Sequence, residues 1–187
     1  MDFAMTDEQE LLLESVREFC DRYFTEDVIK EMYETGDMPD EIAEAYRDAG
    51  FGLMGIPEEY GGIPCDKVTL GMMIEELYHS SGCNHILYQN SLTAFDIVEF
   101  GTPEQIQKYM DAYMETGWPL CSLSISEPGA GSDNRNMSCT AKKQDDGTYR
   151  LNGQKTWVTM GAKLPVHHRS WPKTKIRHER TTRCRCG

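Results

Sequence analysis

The hydrophobic period of this chain changes once, after Gly117, and the change restricts it to a helical part followed by a β part. Before that point apolar residues recur every three or four positions. Leu12, Val16, Phe19, Cys20 and Tyr23 are one such series, and Ile106, Tyr109, Met110 and Tyr113 are another. This spacing lines one face of an α-helix, which must then be buried against something. From Trp118 onward the period is 2, which predicts strands over 121–126, 139–143, 148–151 and 155–160. The expected class is α+β, an all-helical domain leading into the opening strands of a β domain.

The helix limits are marked chemically. Thr6-Asp-Glu-Gln9 and Thr102-Pro-Glu-Gln105 are capping boxes, in which a threonine hydroxyl and a glutamine amide satisfy each other's backbone donors. Helices are expected from Asp7 to Tyr23, over 26–35, from Asp37–Pro39 to Ala49, and over 66–81, 84–100 and 103–116. Gly36, Gly50, Gly82, Gly101 and Gly117 are their stops. Between the third and fourth helices, Phe51 to Gly62 reads as a loop, because Gly61-Gly62 does not support regular helix.

The stretch Cys121 to Asp133 carries the chemistry. Its first half alternates, with Cys121, Leu123 and Ile125 set against Ser122, Ser124 and Ser126, as in a half-buried strand. Pro128 then fixes one φ, while Gly129 and Gly131 free the backbone for positive φ and for close approach to a ligand. Exposed amides here, with the Ser126 and Ser132 hydroxyls at either end, would cradle anionic oxygens and polar ring edges. A bare Gly-x-Gly after a strand is more often an ordinary turn, and Trp157, Ser126 and Thr159 taken singly are ordinary strand residues. Lys155 reads as a solvated charge. No Gly-x-Gly-x-x-Gly opens a helix and no P-loop lysine pattern is present, so neither dinucleotide-fold fingerprint applies.

Two longer blocks, Ser126 to Asp133 and Leu151 to Thr159, resemble in this order the flavin-binding segments of the acyl-CoA dehydrogenase family. Ile56-Pro-Glu-Glu-Tyr-Gly-Gly62 is similar to a segment of that family's helical domain. Met1-Asp-Phe3, Asp7 to Leu11 and Gly101 to Ile106 look most like its crotonobetainyl-CoA reductase branch. The resemblance implies a helical N-terminal domain over 1–117 and part of a β-barrel-like middle domain over 118–162, with the C-terminal helical bundle absent. It implies FAD as cofactor and an acyl-CoA thioester as substrate. A base takes the α-proton while hydride passes from the β-carbon to flavin N5, or the reverse, and the cofactor carries the redox step. Electron-transferring flavoprotein and a homo-oligomer are the implied partners.

Carried over by position, the resemblance sets Leu123, Ile125 and Ser126 along the isoalloxazine ring, with the Ser126 hydroxyl at its pyrimidine end. Gly131 and Ser132 approach the pyrophosphate and the thioester, Trp157 packs on the ring, and Thr159 bonds near N5. Ser126 replaces the usual threonine and keeps the hydroxyl, whereas Met160 stands where a small polar residue is common. The family's base is a glutamate of the C-terminal domain, and no acidic residue of this chain is assigned that role. The chain by itself is therefore expected neither to turn over acyl-CoA nor to hold FAD tightly. The alternative, of another class, is a non-catalytic binding or interaction module derived from the family. Retained yellow colour favours the enzyme, and a stable colourless fold with a protein partner favours the module.

Charge narrows the partners. The net charge of −12 argues against nucleic acid and against anionic lipid. It is unevenly spread: residues 1–162 carry 11 Lys and Arg against 30 Asp and Glu, and residues 163–187 carry 8 against 1. That basic tail lacks any amphipathic period and reads as disordered or out of frame, with a basic partner-binding arm as the other reading. No apolar run suits a bilayer span, and the acidic start is unlike a signal or transit peptide, so a cytoplasmic location is expected. Of seven cysteines, the five before the tail (Cys20, Cys65, Cys83, Cys121 and Cys139) are in no paired spacing and read as reduced packing residues, while Cys184 and Cys186 form a Cys-x-Cys in the tail that would chelate only adventitiously. Cys83 and His85 read as structural rather than metal-binding.

Overall fold

The computed structural model describes residues 4–83, 85–119, 122 and 124–159. It divides into two compact units, Met1–Pro119 and Leu120–Gly187. Expectations for Cys121, Leu123, Met160 and the 163–187 tail fall outside the described residues.

The first unit is helical. It comprises α1 (Asp7–Tyr23), α2 (Glu26–Thr35), α3 (Asp40–Asp48), α4 (Lys67–Ser81), α5 (Leu87–Phe100) and α6 (Pro103–Thr116). Two single 3-10 turns, Phe51–Leu53 and Glu58–Tyr60, occupy the loop after α3. Its core is built from Val16, Phe19 and Cys20 of α1, Tyr46 of α3, Met73 and Leu77 of α4, and Tyr113 of α6. Phe19 is the aromatic hub, with Tyr23, Phe24, Tyr46 and Phe51 rings at 5.1, 6.2, 6.0 and 5.6 Å. α1 packs along α4, and polar pairs at the edge of that contact fix its register. Gln9 Nε2 donates to Thr69 Oγ1 (2.9 Å), and Arg17 pairs with Glu76 (2.8 Å). α2 contributes no buried side chain.

Both capping boxes form. Thr6 Oγ1 accepts from the Gln9 amide (3.2 Å) while Gln9 Oε1 accepts from the Thr6 amide (3.0 Å), and Thr102 and Gln105 repeat the arrangement. Thr102→Ala removes one of these bonds and should lower the stability of the helical unit by about 1 kcal/mol. A urea midpoint that falls with an unchanged slope is the measurement. The loop after α3 closes on itself, since Gly55 N–H donates to Ile63 O (2.8 Å) and Ile63 N–H to Leu53 O (2.9 Å). A side chain at Gly62 would overlap the Ile56 carbonyl, so glycine is required there by packing.

The starts of α3 and α5 differ from the sequence reading. α3 starts at Asp40 because Pro39 is extended (ψ 139°) and serves as its N-cap. α5 starts at Leu87, three residues late, because the His85 carbonyl accepts from the Tyr78 hydroxyl (3.0 Å) instead of entering the helix. Gly101 stops α5 without a left-handed turn: at φ −81°, ψ 160° it runs extended into the Thr102 cap.

The second unit is built on an antiparallel hairpin, β1 (Thr140–Lys143) and β2 (Tyr149–Asn152), with Ala141 opposite Leu151. Asp146 Oδ1 accepts from the Thr148 amide (3.0 Å) and Gly147 takes positive φ, which closes the turn. A 3-10 turn at Asn134–Asn136 is capped by Asp133. The expected strands over 121–126 and 155–160 do not form among their described residues. A single backbone bond, Thr156 N–H to Ser126 O (2.9 Å), joins the two segments there, and Trp157 at φ 57° interrupts the extended run. Alternating composition makes such segments fit for a sheet, but a strand exists only where a ladder pairs it.

Candidate functional site

The site is assembled within the second unit around the turn Glu127–Ala130. Glu127 N–H donates to Ala130 O (2.8 Å) and Ala130 N–H to Glu127 O (3.1 Å), which folds the Pro128-Gly129 tip outward. Gly129 and Gly131 do not take positive φ, contrary to the sequence expectation. A Cβ on either would meet nothing within 4 Å. Neither backbone conformation nor packing requires glycine at these positions. The missing side chains leave the backbone at Gly129 and Gly131 uncovered, but within the turn the Glu127 and Ala130 amides bond to each other and Pro128 has none, so the expected cradle of amides is reduced to Gly129 there.

Of the residues singled out from sequence, Ser126 is half-buried, and Ile125, Gly131, Ser132 and Thr159 are exposed. Trp157 is 84% exposed, an unusual position for an indole. The Thr156–Ser126 bond brings the Ile125-Ser126 segment beside the segment carrying Trp157 and Thr159. The Ser122 hydroxyl donates to the Thr159 carbonyl and adds a second tie. Ser132 and Gly131 follow directly from the turn. Leu123 lies outside the described residues.

Two residues at the centre of this arrangement were not recognised from sequence as a pair. Glu127 is buried, and its carboxylate accepts from Lys155 Nζ (2.9 Å), Ser138 N–H (2.6 Å), Ser138 Oγ (2.9 Å) and Cys139 N–H (3.1 Å). Lys155 is not a solvated charge: besides Glu127 it donates to Ile125 O (2.8 Å) and lies 3.5 Å from Met137 Sδ. The Lys155 ammonium first, then the Ser138 and Cys139 donors, hold the Glu127 carboxyl far below the usual carboxylate range. Desolvation, followed by the neighbouring Glu127 carboxylate, pushes the Cys139 thiol up, so this cysteine is not an activated nucleophile. Among the described residues no group of three metal-ligating side chains forms, and no helix is long and apolar enough to cross a membrane.

The donor set fits a planar ring system with polar edges and an anionic arm. It offers one exposed indole, hydroxyls at Ser126, Ser132 and Thr159, and a turn whose tip carries no side chain at Gly129. With the helical unit preceding it, this arrangement defines the class as a helical domain followed by part of a β domain. The family match agrees. The acyl-CoA dehydrogenase N-terminal domain matches residues 6–116 and the middle domain residues 122–181, and the chain belongs to the acyl-CoA dehydrogenase family. It is similar to the probable acyl-CoA dehydrogenase YdiO of Escherichia coli K12, with 40% identity over 165 residues, 88% of this chain and 43% of that protein. It is also similar to the caffeyl-CoA reductase-Etf complex subunit CarC of Acetobacterium woodii, with 33% identity over 157 residues, 83% of this chain and 41% of CarC. In structure it resembles the FAD complex of PigA, with a TM-score of 0.68 and 26% identity over 86% of this chain and 42% of that one. The chain thus spans about two fifths of the length of the curated relatives it matches.

Proposed function

We propose that this chain supplies the helical domain and the flavin-facing turn of an FAD-dependent enzyme acting on the α,β carbon–carbon bond of an acyl-CoA thioester. The observation that carries the reading is the open turn. Two glycines there are required neither by backbone nor by packing, and near them in sequence or across the Thr156–Ser126 bond stand the half-buried Ser126, the exposed Ser132 and Thr159, and an indole left in solvent.

Bound FAD would supply hydride acceptance or donation. This chain's residues bind and orient. Ile125 and Trp157 offer apolar surface to the ring, Ser126 a hydroxyl to its pyrimidine edge, and Thr159 a hydroxyl near N5. Gly131 and Ser132 present the pyrophosphate contacts, and Ser132 also faces the thioester. The relatives act on CoA thioesters as a dehydrogenase and as a reductase by their names, and the turn suits either direction. We divide the chain at 117/118 and 162/163. In the same reading electron-transferring flavoprotein is the electron partner, the assembly is a homo-oligomer, and the location is cytoplasmic.

The base is assigned to none of these residues, so the 187-residue chain binds FAD weakly and does not turn over. Titrating FAD while following its visible absorption and fluorescence should give saturable binding in roughly the micromolar-to-millimolar range. Acyl-CoA should cause no bleaching of the bound flavin. Trp157→Ala should weaken FAD about tenfold by removing the stacked ring. Absence of saturable binding overturns the flavin reading, and stoichiometric bleaching by acyl-CoA overturns the claim of inactivity.

A further inference from the structure

We propose that the Glu127–Lys155 ion pair is a positioning device, which holds the segment Ile125-Ser126 and the segment Thr156–Thr159 in the register that presents both to one ligand. The inference rests on the flavin reading above and adds residues to which that reading gives no role.

The argument begins with where the pair sits. Glu127 follows Ser126 directly, and Lys155 precedes Trp157 by two residues. The two segments share one backbone bond among the described residues, Thr156 N–H to Ser126 O. One such backbone bond does not set register, and the Ser122–Thr159 bond ties the segments only at their far end, so the stretch around Ser126 can still pivot. The ion pair adds two further ties across the same gap, Lys155 Nζ to Glu127 Oε1 and Lys155 Nζ to Ile125 O. These three connections, unlike the Ser122–Thr159 bond, converge within three consecutive residues on one side and two on the other.

Neither charge is available for a ligand. Lys155 has carboxylate, carbonyl and thioether neighbours at 2.9, 2.8 and 3.5 Å, which occupy its three donors. Glu127 accepts four bonds on two oxygens and its side chain is 2% exposed. A lysine meant for a phosphate would leave its ammonium facing solvent, and a catalytic carboxylate would keep an oxygen free. The pair instead ties the turn to the entry of β1, through Ser138 and Cys139, and to the exit of β2, through Lys155. Because the Glu127 carboxylate is desolvated, losing Lys155 leaves it without its counter-charge, and losing the carboxylate frees Lys155, whose side chain is 22% exposed, to turn to solvent; the lock is held by both or by neither.

The test uses the full chain, with FAD as the probe, in wild type, Lys155→Met and Glu127→Gln. FAD affinity and the shape of the bound flavin's visible band are read together with amide hydrogen exchange. Lys155→Met should weaken FAD about tenfold, blur the visible band and expose the Thr156 amide, while the β1–β2 ladder amides keep their wild-type protection. Glu127→Gln, which keeps an acceptor for Ser138 and Cys139, should give the same pattern. Wild-type binding with unchanged affinity and band in both variants overturns the positioning role alone. Collapse of hairpin protection in both variants also overturns it, because the pair is then a pin for the whole unit. Wild type that shows no saturable FAD binding overturns the flavin reading, and this inference with it.

Discussion

Acidification from pH 6.5 to about 4 should remove about 3 kcal/mol from the stability of the helical unit, and His85→Phe should abolish most of that loss. His85 is buried, and its ring stacks between Phe24 (5.0 Å) and Tyr78 (4.5 Å, 8° between planes). No described group meets Nδ1 or Nε2 with hydrogen-bond geometry. Burial therefore pushes its pKa down from 6.5 to about 4, opposed in part by the Leu77 backbone. The unfolded imidazole takes up its proton near pH 6.5 and the folded one only near 4, so the unfolded state binds more protons throughout that window. Stability is complete above pH 6.5 and falls toward pH 4 at up to about 1.4 kcal/mol per pH unit. The shifted carboxylates act elsewhere on the scale. Asp48, Asp66, Glu76, Glu104 and Glu127 are all lowered, so what they add is lost only below about pH 4.5. Phenylalanine keeps the stack and cannot be protonated. Denaturant melts at pH 7 and pH 5 check the sign; a wild type equally stable at both would show that the imidazole is solvated.

The second large effect is expected at the end of the helical unit. Trp118→Ala should cost about 3–5 kcal/mol, the range for emptying a buried aromatic site. The indole is 6% exposed, and its Nε1–H donates to Asp40 Oδ1 (2.7 Å) in the first turn of α3. Its amide donates to Thr116 Oγ1 (3.1 Å) just past the left-handed Gly117. One side chain thus fastens the end of α6 to the start of α3, nearly eighty residues earlier. Trp118→Phe keeps most of the packing and loses the hydrogen bond, and Asp40, being exposed, regains water. That change should cost about 1 kcal/mol. Set against a typical total of about 5–15 kcal/mol, the alanine variant forfeits about a fifth of the unit's stability or more. Chemical denaturation followed by the helical signal separates the two, and equal losses would place the energy in the hydrogen bond instead of the ring.

Much of the helical unit was legible because its signals are local. Thr6 with Gln9, Asp66, and Thr102 with Gln105 announce helix starts within four residues of where they act, and Gly36, Gly82 and Gly117 adopt the left-handed stops assigned to them. What failed depends on distant partners. The start of α5 is set by a Tyr78 hydroxyl seven residues away, which no local pattern at Asn84 to Ile86 reveals. Alternation over 121–126 and 155–160 says which residues can lie in a sheet, but not that a ladder will be there. Glu127 reads as a turn residue because Glu-Pro-Gly is a common turn. Its burial comes from Lys155, twenty-eight positions on, and from the amides of Ser138 and Cys139. A lysine in a strand-like block is by default solvated, and only the fold shows otherwise.

The absence of buried side chains from α2 has a kinetic consequence. Its Thr25 cap and left-handed Gly36 define where the helix lies, yet Val28, Ile29 and Met32 are only half-covered and Tyr33 stands in solvent. A ten-residue helix with so little packed surface opens at a small fraction of the cost of unfolding its neighbours. The segment between Phe24 and Asp37 can therefore melt and re-form many times while the Phe19 cluster stays intact. Proteolytic nicking and proton exchange in that stretch will report local breathing rather than the lifetime of the domain.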